Sequence, residues 1–473
     1  MQDGIVKLAS GFECGDLSQW QNMAEKALRG ADFDTLERTS EDGIKRGPLF
    51  TQAPQTHFDK AHTPHLAGRP WHICAMIDHP DIVGANHDIL NALKGGASAL
   101  SLIIDPSGLC GIALRSIADI ERLLSGVYET LIPIHITPSP NDAAAALFAA
   151  YFKDNTDVQN IHLSLGYVPG PKDNDTLMSI AAWTHDNAPH WKAVCINGAA
   201  LHEDGASAAQ ELAFMAAQLV SYLRVLLEKY DIDTALSMID VRLAADQDAH
   251  FNIVKFRAAQ LIWAQIAREF DAKNTAMSLH VISSMRMMAK EDPWANLLRL
   301  NAACFGAVCG RAGTITLLPF THIGGETVPD LAAPFAHRLS RNIQLLQMEE
   351  SHLGHVEDPA CGSYTHESLT HNLAAKSWNI FQNIEARGGW FKAFDWFFKT
   401  VKKMEKQRNA KIENGEILRV GINQFVKADV RKTKTIPRPK IKPRTGNIIE
   451  ARNFEQAIKQ AKNGCLSPLI GGR

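Results

Sequence analysis

The sequence predicts an α/β protein whose core is a (β/α)8 TIM barrel, and two observations support this prediction. Short apolar runs of strand length recur through the middle of the chain. Between them lie longer stretches with apolar residues at three- and four-residue spacing, which is typical of helices that bury one face. Eight such units fit between residues 71 and 318, which is the number that closes a barrel.

The predicted elements follow from this periodicity. Strands are expected at residues 71–77, 98–104, 131–137, 160–165, 193–197, 235–242, 276–282 and 313–318. Helices are expected at residues 141–152, 206–229, 251–270 and 292–309. Three regions are expected: an N-terminal arm and helix over residues 1–67, the barrel with its following helices over 68–400, and a basic linker with a C-terminal tail over 401–473.

A doubly wound open sheet would also alternate strands and helices. Its first strand would be followed by a glycine-rich turn that cradles phosphate. Here the first strand is followed by Asp78-His79-Pro80-Asp81, which is typical of a helix cap. We therefore expect a barrel, with any functional side chains at the carboxyl ends of its strands.

Composition indicates a globular protein without a general attraction to nucleic acid. The chain has 473 residues, a hydrophobic content of 45% and a formal net charge of -2. Its apolar runs are shorter than a membrane span, and its N-terminus lacks a basic and then apolar leader. We therefore expect a cytoplasmic protein that contacts neither membrane nor nucleic acid.

Two local features could point to a special function. The eight cysteines are scattered without a CxxC pair or zinc-ligand spacing, so most are expected to be buried small hydrophobic residues. Residues 427–444 are basic and interrupted by prolines, but they lack the interleaved aromatic side chains that stack on single-stranded nucleic acid. We expect this segment to be extended and to cross the surface of a partner protein.

The carboxyl ends of the predicted strands carry few groups that could do acid–base chemistry. The residues there are Met76 and Ile77 after strand one, Ala199 and Ala200 after strand five, and Ser283, Ser284 and Met285 after strand seven. General acid–base catalysis needs titratable side chains that converge on a substrate. We expect this chain to have no catalytic, cofactor-binding or metal-binding residues.

Polar residues near this face have simpler interpretations. His202, Glu203 and Asp204 are predicted at a helix start, in capping or exposed positions, where the acidic pair suits the positive end of the helix dipole. Asp240 and Arg242 on strand six are predicted to form an ion pair at the end of the barrel.

One short motif is similar to a cofactor signature. Asp248-Ala249-His250 is similar to the start of DxHxxG, in which the histidine binds the cobalt of cobalamin. Ile253 stands at the position of the glycine, and the segment is predicted to begin a barrel helix, so we interpret the match as coincidental. Three further histidines, at positions 355, 366 and 371, share no helix face and do not indicate a metal site.

Several motifs occur together in one known family. Residues 336–390 contain Arg341-Asn342, then Glu349-Glu350-Ser351, then the turn Asp358-Pro359-Ala360-Cys361-Gly362-Ser363. Matching residues elsewhere are Lys255, Arg257, Ala258, Ala259 and Trp263, with RGP at 46–48 and RPW at 69–71. In these motifs the chain, from residue 40 to residue 425, resembles the methylmalonyl-CoA mutase family.

Catalytic chains of that family differ from this one where the chemistry takes place. They have tyrosine at the position of Met76, arginine at that of Cys74 and a Tyr-His pair at Ala199-Ala200. Along strand seven they have Arg-Thr-His-x-Gln, where this chain reads HVISS with Ile282 at its centre, and their acyl-CoA-binding loop is shortened here to residues 164–177. The resemblance implies that the catalytic positions have been replaced.

Other runs are similar to the non-catalytic small subunit of heterodimeric mutases. They are HEDGASAAQELAF from residue 202, DPWANLLR from residue 292 and EESHLGHVEDPACGS from residue 349. The resemblance implies a pseudoenzyme. The family's cobalamin-binding domain would follow residue 460 or so and the sequence ends at Arg473, so we expect no such domain. The chain's large partner would bind adenosylcobalamin and the acyl-CoA, and the complex would interconvert methylmalonyl-CoA and succinyl-CoA in propanoate metabolism.

Two other functions stay open. The chain could be the barrel subunit of a divergent two-chain acyl-CoA mutase that a separate cobalamin-binding chain completes. That function requires replacement polar groups at the strand ends. Alternatively, it could be a stand-alone binding or chaperone-like protein.

Overall fold

The strands of the predicted (β/α)8 barrel are all present. The computed structural model describes residues 15–52, 54, 69–139, 143–154, 157–324, 327–329, 333–426, 435–437, 439–441 and 454–463. Its parallel strands are β1 (His72–Ile77), β2 (Ala99–Leu102), β3 (Ile134–Ile136), β4 (Leu163–Ser164), β5 (Val194–Asn197), β6 (Ile239–Ala245), β7 (Leu279–Ser283) and β8 (Thr314–Thr316). They form one sheet in the order β4-β3-β2-β1-β8-β7-β6-β5. The predicted fold class is confirmed.

The barrel closes between β4 and β5. The backbone N–H of Lys192, just before β5, donates to the carbonyl of Leu163 at 2.7 Å, and the N–H of Leu165 donates to the carbonyl of Lys192 at 3.0 Å. The two ends of the sheet therefore meet, which satisfies backbone groups that an open edge would expose.

Helices surround the strands and continue after them. They are α1 (Leu17–Ala27), α2 (Ile82–Lys94), α3 (Ile117–Leu123), α4 (Ala143–Phe152), α5 (Asn174–Asn187), α6 (Gly198–Glu203), α7 (Ala208–Leu226), α8 (Ile232–Ser237), α9 (Ala249–Glu269), α10 (Ala295–Cys309), α11 (Ala333–Leu345), α12 (Tyr364–Glu385), α13 (Trp390–Glu413) and α14 (Phe454–Asn463). The four predicted helices correspond to α4, α7, α9 and α10. A short antiparallel pair, β9 (Thr327–Pro329) and β10 (Thr435–Pro437), completes the elements.

The long helices α7 and α9 begin at polar caps. The Ser207 hydroxyl accepts from the N–H of Gln210 at 3.3 Å, and the Gln210 amide oxygen accepts from the N–H of Ser207 at 3.1 Å. The Asp248 carboxylate accepts from the N–H of Phe251 at 3.0 Å. Such caps satisfy N–H groups that the helix leaves unpaired and stabilise it by about 1 kcal/mol each.

The sixth predicted strand, residues 235–242, begins too early. Residues Ile232–Ser237 form α8, which Asp231 caps by accepting from the N–H of Thr234 at 2.9 Å, and β6 starts only at Ile239. The run ALSMIDV is mostly apolar, with Ser237 and Asp240 as its polar residues, and a short apolar run does not distinguish a buried helical turn from a strand. The prediction was wrong at this boundary because of that ambiguity.

The helices that follow the barrel pack on its outside. α12 lies against α7 and α9, and α14 lies against α4 and α5, where the ring of Phe454 meets that of Trp183 edge-on at 6.0 Å. The arm is attached to α13 through Arg408, which donates to the Glu41 carboxylate at 2.7 Å. The expected division at residues 67/68 and 400/401 stays a prediction.

Some predicted features lie only partly within the described residues. Of the basic segment 427–444, residues 435–437 and 439–441 are described and the rest lie outside. Of the six described cysteines, Cys74, Cys195, Cys304 and Cys309 are buried as expected, whereas Cys110 and Cys361 are exposed. A search of the described helices finds none with both the length and the apolar character needed to cross a membrane.

Candidate functional site

A cavity of about 1060 Å³ lies at the carboxyl ends of the strands and is called the upper cavity below. Met76, Ala199, Ala200 and Ile282, the four positions at which the sequence differs from catalytic chains, all line it. The barrel therefore brings together residues from β1, α6 and β7 that the sequence places far apart. That these residues have no catalytic role stays a prediction.

The short helix α6 places the two alanines at this cavity. Asn197, the last residue of β5, accepts from the N–H of Ala200 at 3.3 Å and so turns the chain from strand to helix. A methyl group at Gly198 would lie only 2.7 Å from Leu243 Cδ2 and 3.2 Å from the carbonyl oxygen of Arg242. Glycine at this position thus lets α6 pack directly on β6.

The predicted positions of His202, Glu203 and Asp204 need correction. They lie at the end of α6 and not at the start of a helix, because α7 begins separately after the cap at Ser207. His202 is only 3% exposed, so its predicted capping or exposed role is wrong, whereas Asp204 is exposed. The single helix predicted for residues 206–229 is therefore preceded by a separate short helix, α6.

His202 and Glu203 instead attach α6 to the segment after β7. His202 Nε2 lies 3.0 Å from the Ser284 hydroxyl, and burial lowers the pKa of this imidazole well below its ordinary value. The Glu203 carboxylate accepts from the backbone N–H groups of Met285 at 3.0 Å and Arg286 at 3.1 Å, while burial raises its pKa. Glu203 also lines the upper cavity.

The C-terminal segment contributes to the same cavity. Pro439, Lys440 and Ile441 line it together with Gly108 in the loop after β2. A methyl group at Gly108 would lie 2.6 Å from Ile441 side-chain atoms, so the two segments pack closely. The predicted linker thus reaches the functional face of its own barrel.

Buried polar side chains fill the barrel axis beneath the upper cavity. Asp240 and Arg242 of β6, His135 of β3 and His280 of β7 are each less than 10% exposed, with values of 0%, 1%, 7% and 0%. Arg242 Nε lies 3.6 Å from Asp240 Oδ2, which confirms the predicted ion pair. Its predicted location was wrong, since the pair lies inside the barrel and not at its end.

The contacts of Asp240 keep it ionised. The hydroxyls of Ser164 and Ser278 donate to its carboxylate at 2.8 and 2.9 Å. Burial alone would raise the pKa of Asp240, but its contacts with His135 and Arg242 outweigh that effect and hold the pKa below its ordinary value. Burial lowers the pKa of His135 and of His280, so both imidazoles are neutral at pH 7.

A second cavity, of about 340 Å³, lies at the amino ends of the strands and is called the lower cavity below. Four histidines and a lysine are among its lining residues: His72, His135, His162, His190 and Lys192. Neither this cavity nor the polar axis is evident from the sequence, because the lining residues stand in separate segments: His72 on β1, His135 on β3, His162 just before β4, and His190 and Lys192 just before β5. Their signal was a polar residue inside an otherwise apolar strand, as in IHI at 134–136.

The segment similar to DxHxxG begins a barrel helix, as expected. Asp248 caps α9 and pairs with Arg46 at 2.6 Å, and His250 Nδ1 lies 3.0 Å from His366 Nε2 on α12. His250 thus lies exposed on α9, beside His366 of α12, on the outside of the barrel.

The fold is a (β/α)8 barrel with a cavity at the carboxyl ends of its strands, which is the face where barrel enzymes have their active sites. Residues 165–463 match the family model described as methylmalonyl-CoA mutase. The chain therefore belongs to the methylmalonyl-CoA mutase family.

Three relatives show where in the family its similarities lie. A probable methylmalonyl-CoA mutase small subunit from Mycobacterium bovis is 36% identical over 354 residues, which cover 72% of this chain and 56% of that protein. The small subunit from Streptomyces virginiae is 32% identical, covering 82% of this chain and 66% of that protein. The large subunit from Streptomyces virginiae is 26% identical, covering 89% of this chain and 64% of that protein. The chain thus spans less than two thirds of the length of these relatives.

Proposed function

We propose that this chain is the small subunit of an adenosylcobalamin-dependent methylmalonyl-CoA mutase and that it is itself non-catalytic. It pairs with a large subunit that binds the acyl-CoA and carries the chemistry, and it stabilises that subunit by binding its folded form. The observation that carries the proposal is the convergence of Met76, Ala199, Ala200 and Ile282 on the upper cavity. None of these four side chains can donate or accept a proton in catalysis.

The filled barrel axis supports the same proposal. In the catalytic chains that the sequence resembles, the pantetheine arm of the acyl-CoA is expected to thread the barrel. Here Arg242 lines the upper cavity and His135 lines the lower one, with Asp240 in contact with both. Opening this path would break a buried ion pair, which typically costs 3–5 kcal/mol, and the bulky side chains would have to leave the axis.

The segment similar to DxHxxG does not fit a role in binding the cobalt of cobalamin. His250, in the segment similar to DxHxxG, is on the barrel helix α9 and lies against His366. We therefore assign adenosylcobalamin to the large subunit and derive no step through it in this chain. The higher identity to the small subunit than to the large subunit of Streptomyces virginiae, 32% against 26%, supports this assignment.

A second candidate function is favoured by one observation. Although Met76, Ala199, Ala200 and Ile282 carry no titratable groups, Asp78, Glu203, Arg242 and His322 also line the upper cavity. These could be the replacement polar groups of a divergent acyl-CoA mutase barrel that a separate cobalamin-binding chain completes. Binding of an acyl-CoA to the isolated chain, measured by calorimetry, separates the two: the small-subunit proposal expects none, and the second candidate expects a stoichiometric site.

The first proposal is tested by co-expression with the large mutase chain of the same genome. We expect a stable complex by size-exclusion chromatography with mass analysis, a higher melting temperature for the large chain in that complex, and no methylmalonyl-CoA turnover by the isolated small chain. A monomer at micromolar concentration, beside a large chain whose activity and stability do not change, would rule the proposal out.

A further inference from the structure

Three potential metal ligands meet inside the barrel. One nitrogen each of His135 and His280 and one carboxylate oxygen of Asp240 all lie within 4.8 Å of one another. The rings of the two histidines have centroids 4.5 Å apart, and His135 Nδ1 lies 3.7 Å from Asp240 Oδ2. A Zn–N bond is about 2.0–2.1 Å long, so small rotations of the three side chains would let all of them bind one ion placed between them.

Two of these side chains have unsatisfied polar atoms. Among the described residues, neither ring nitrogen of His135 has a hydrogen-bond partner, and the same holds for Nδ1 of His280. Both residues are more than nine-tenths buried. A buried polar atom without a partner costs about 1–3 kcal/mol, so this arrangement is expensive unless a ligand satisfies it.

The surrounding residues are arranged as in protein metal sites. The Ser164 and Ser278 hydroxyls orient Asp240, and His280 Nε2 lies 2.8 Å from the Thr316 hydroxyl, while Nδ1 has no hydrogen-bond partner among the described residues. Such outer hydrogen bonds fix the rotamers of metal ligands. The lower cavity, which His135, Ser164 and Ser278 line, gives an ion a path from solvent.

We propose that His135, Asp240 and His280 form a binding site for one divalent transition-metal ion, with Zn²⁺ as its simplest occupant. Two neutral imidazoles and one carboxylate are a ligand set that Zn²⁺ and Co²⁺ accept, and a water molecule from the lower cavity completes the coordination. The ion holds β3, β6 and β7 together at the centre of the barrel. This inference is independent of the proposed function, since the three residues lie below the upper cavity.

Arg242 opposes this ion and sets its affinity. Its guanidinium pairs with Asp240 at 3.6 Å and donates to the Ile136 carbonyl at 2.8 Å, so a second cation must share the same carboxylate. Arg242→Gln removes that charge, keeps a donor for Ile136 and leaves Asp240 uncompensated. We therefore expect Arg242→Gln to bind the ion more tightly than the original chain does, by at least about 10-fold.

The first experiment uses the full chain after removal of metals with a chelator. Titration with Co²⁺ should give visible d–d absorption that saturates at one equivalent, and Zn²⁺ should displace it. X-ray absorption of the Zn²⁺ form should show two imidazoles and one carboxylate at bond lengths of about 2.0–2.2 Å. Absence of stoichiometric binding, or a ligand set without two imidazoles, would overturn the proposal even if no variant folds.

Variants then locate the site. His280→Gln and Asp240→Asn should each weaken Co²⁺ binding by at least about 10-fold. Two matched controls should leave it unchanged: His366→Gln, in the histidine pair with His250, and His162→Gln, in the lower cavity beside His190. Equal losses in a control, no loss in His280→Gln, or binding by Arg242→Gln that is no tighter would each contradict the assignment.

Discussion

The Arg257 guanidinium of α9 donates to the Glu367 carboxylate of α12 at 2.5 Å, and the arginine side chain has no exposed surface. The same guanidinium also donates to Asp358 at 3.2 Å and to the Thr370 hydroxyl at 3.2 Å. Both Arg257 and the turn that begins at Asp358 belong to the motifs by which the sequence resembles its family. Their role in this chain is to dock the C-terminal helices on the barrel.

Arg257→Gln should lower the free energy of unfolding by about 3 kcal/mol, because it removes one partner from a buried ion-pair network. Urea unfolding followed by circular dichroism measures the change. Arg268→Gln, an exposed position on the same helix, is the matched control and should stay within about 0.5 kcal/mol of the original chain. A loss below about 1 kcal/mol for Arg257→Gln would mean that this network does not hold α12.

Restoring one catalytic residue type should not restore chemistry. Ala200→His and Met76→Tyr each place one group in the upper cavity, where several must act together, and residues that act as a unit give little alone. The measurement is a coupled assay for methylmalonyl-CoA isomerisation, with and without adenosylcobalamin, on the isolated chain. Turnover above background in either variant would show a far more complete site than we propose.

The packing of α14 on the barrel can be tested through its contribution to stability. Phe454 is fully buried against the barrel, so Phe454→Ala should cost about 3 kcal/mol of stability, whereas Lys459→Ala on the exposed face of α14 should cost less than about 0.5 kcal/mol. Thermal unfolding of both variants measures this. An unchanged melting temperature in Phe454→Ala would mean that α14 does not pack on the barrel in solution.

This docking also changes how the linker should be tested. Deleting residues 427–473 would remove α14 together with the basic segment and destabilise the barrel itself. Replacing the lysines and arginines of residues 427–434 by serine leaves α14 in place. This variant should weaken the complex with the large subunit and leave the melting temperature of the isolated chain within a few degrees of the original. Calorimetry measures the affinity of the complex, and thermal unfolding measures the melting temperature of the isolated chain. An affinity equal to that of the original chain would exclude the segment from the interface.

Stability should fall in mildly acidic solution, in part through His72. Burial, together with the neighbouring His135, lowers the pKa of His72 to about 4 in the folded chain, whereas an unfolded histidine has a pKa of about 6.5. The unfolded chain therefore binds more protons between these values, and stability is lost as the pH falls from 6.5 toward 4. Asp42, whose pKa burial raises to about 6, acts in the opposite sense below that pH.

A comparison with His72→Gln isolates the histidine. The variant retains a donor for the Ser98 carbonyl, 3.2 Å from His72 Nδ1, and should lose about 2 kcal/mol less than the original chain over this pH range. Urea midpoints at several pH values, measured with a chelator present, provide the comparison. Parallel pH profiles for the two proteins would remove His72 as a cause.

The strands could be predicted because they follow from periodicity along the chain. Apolar runs such as CAMI in β1 and VCIN in β5 mark buried strands, and the barrel then fixes which residues follow them at the functional face. Periodicity alone places Met76, Ala199 and Ala200 at that face, whereas the family resemblance points to Ile282, and nothing in the sequence shows that a cavity remains there.

The polar axis could not be predicted in the same way. His135, Asp240 and His280 lie on three strands, and each is one polar residue in an apolar run, so their meeting depends on the stagger of the strands and not on spacing within any one of them. The break between α6 and α7 does have a sequence signal, Gly205 followed by the capping box of Ser207 and Gln210, and only with that break is His202 placed at the end of a buried helix. In both cases, whether a buried polar side chain finds a hydrogen-bond partner depends on segments that are distant in the sequence.

The position of Pro439, Lys440 and Ile441 on the wall of the upper cavity has a thermodynamic consequence. A ligand that occupies the space beside Ile441 must displace residues 439–441. The free energy of that displacement is subtracted from the free energy of ligand binding. A protein that binds residues 439–441 and removes them from the cavity would raise the affinity of the cavity for its ligand. By thermodynamic linkage, the ligand would raise the affinity of the chain for that protein by the same factor. Ligand binding in the upper cavity and binding of the C-terminal segment by another protein are therefore thermodynamically coupled.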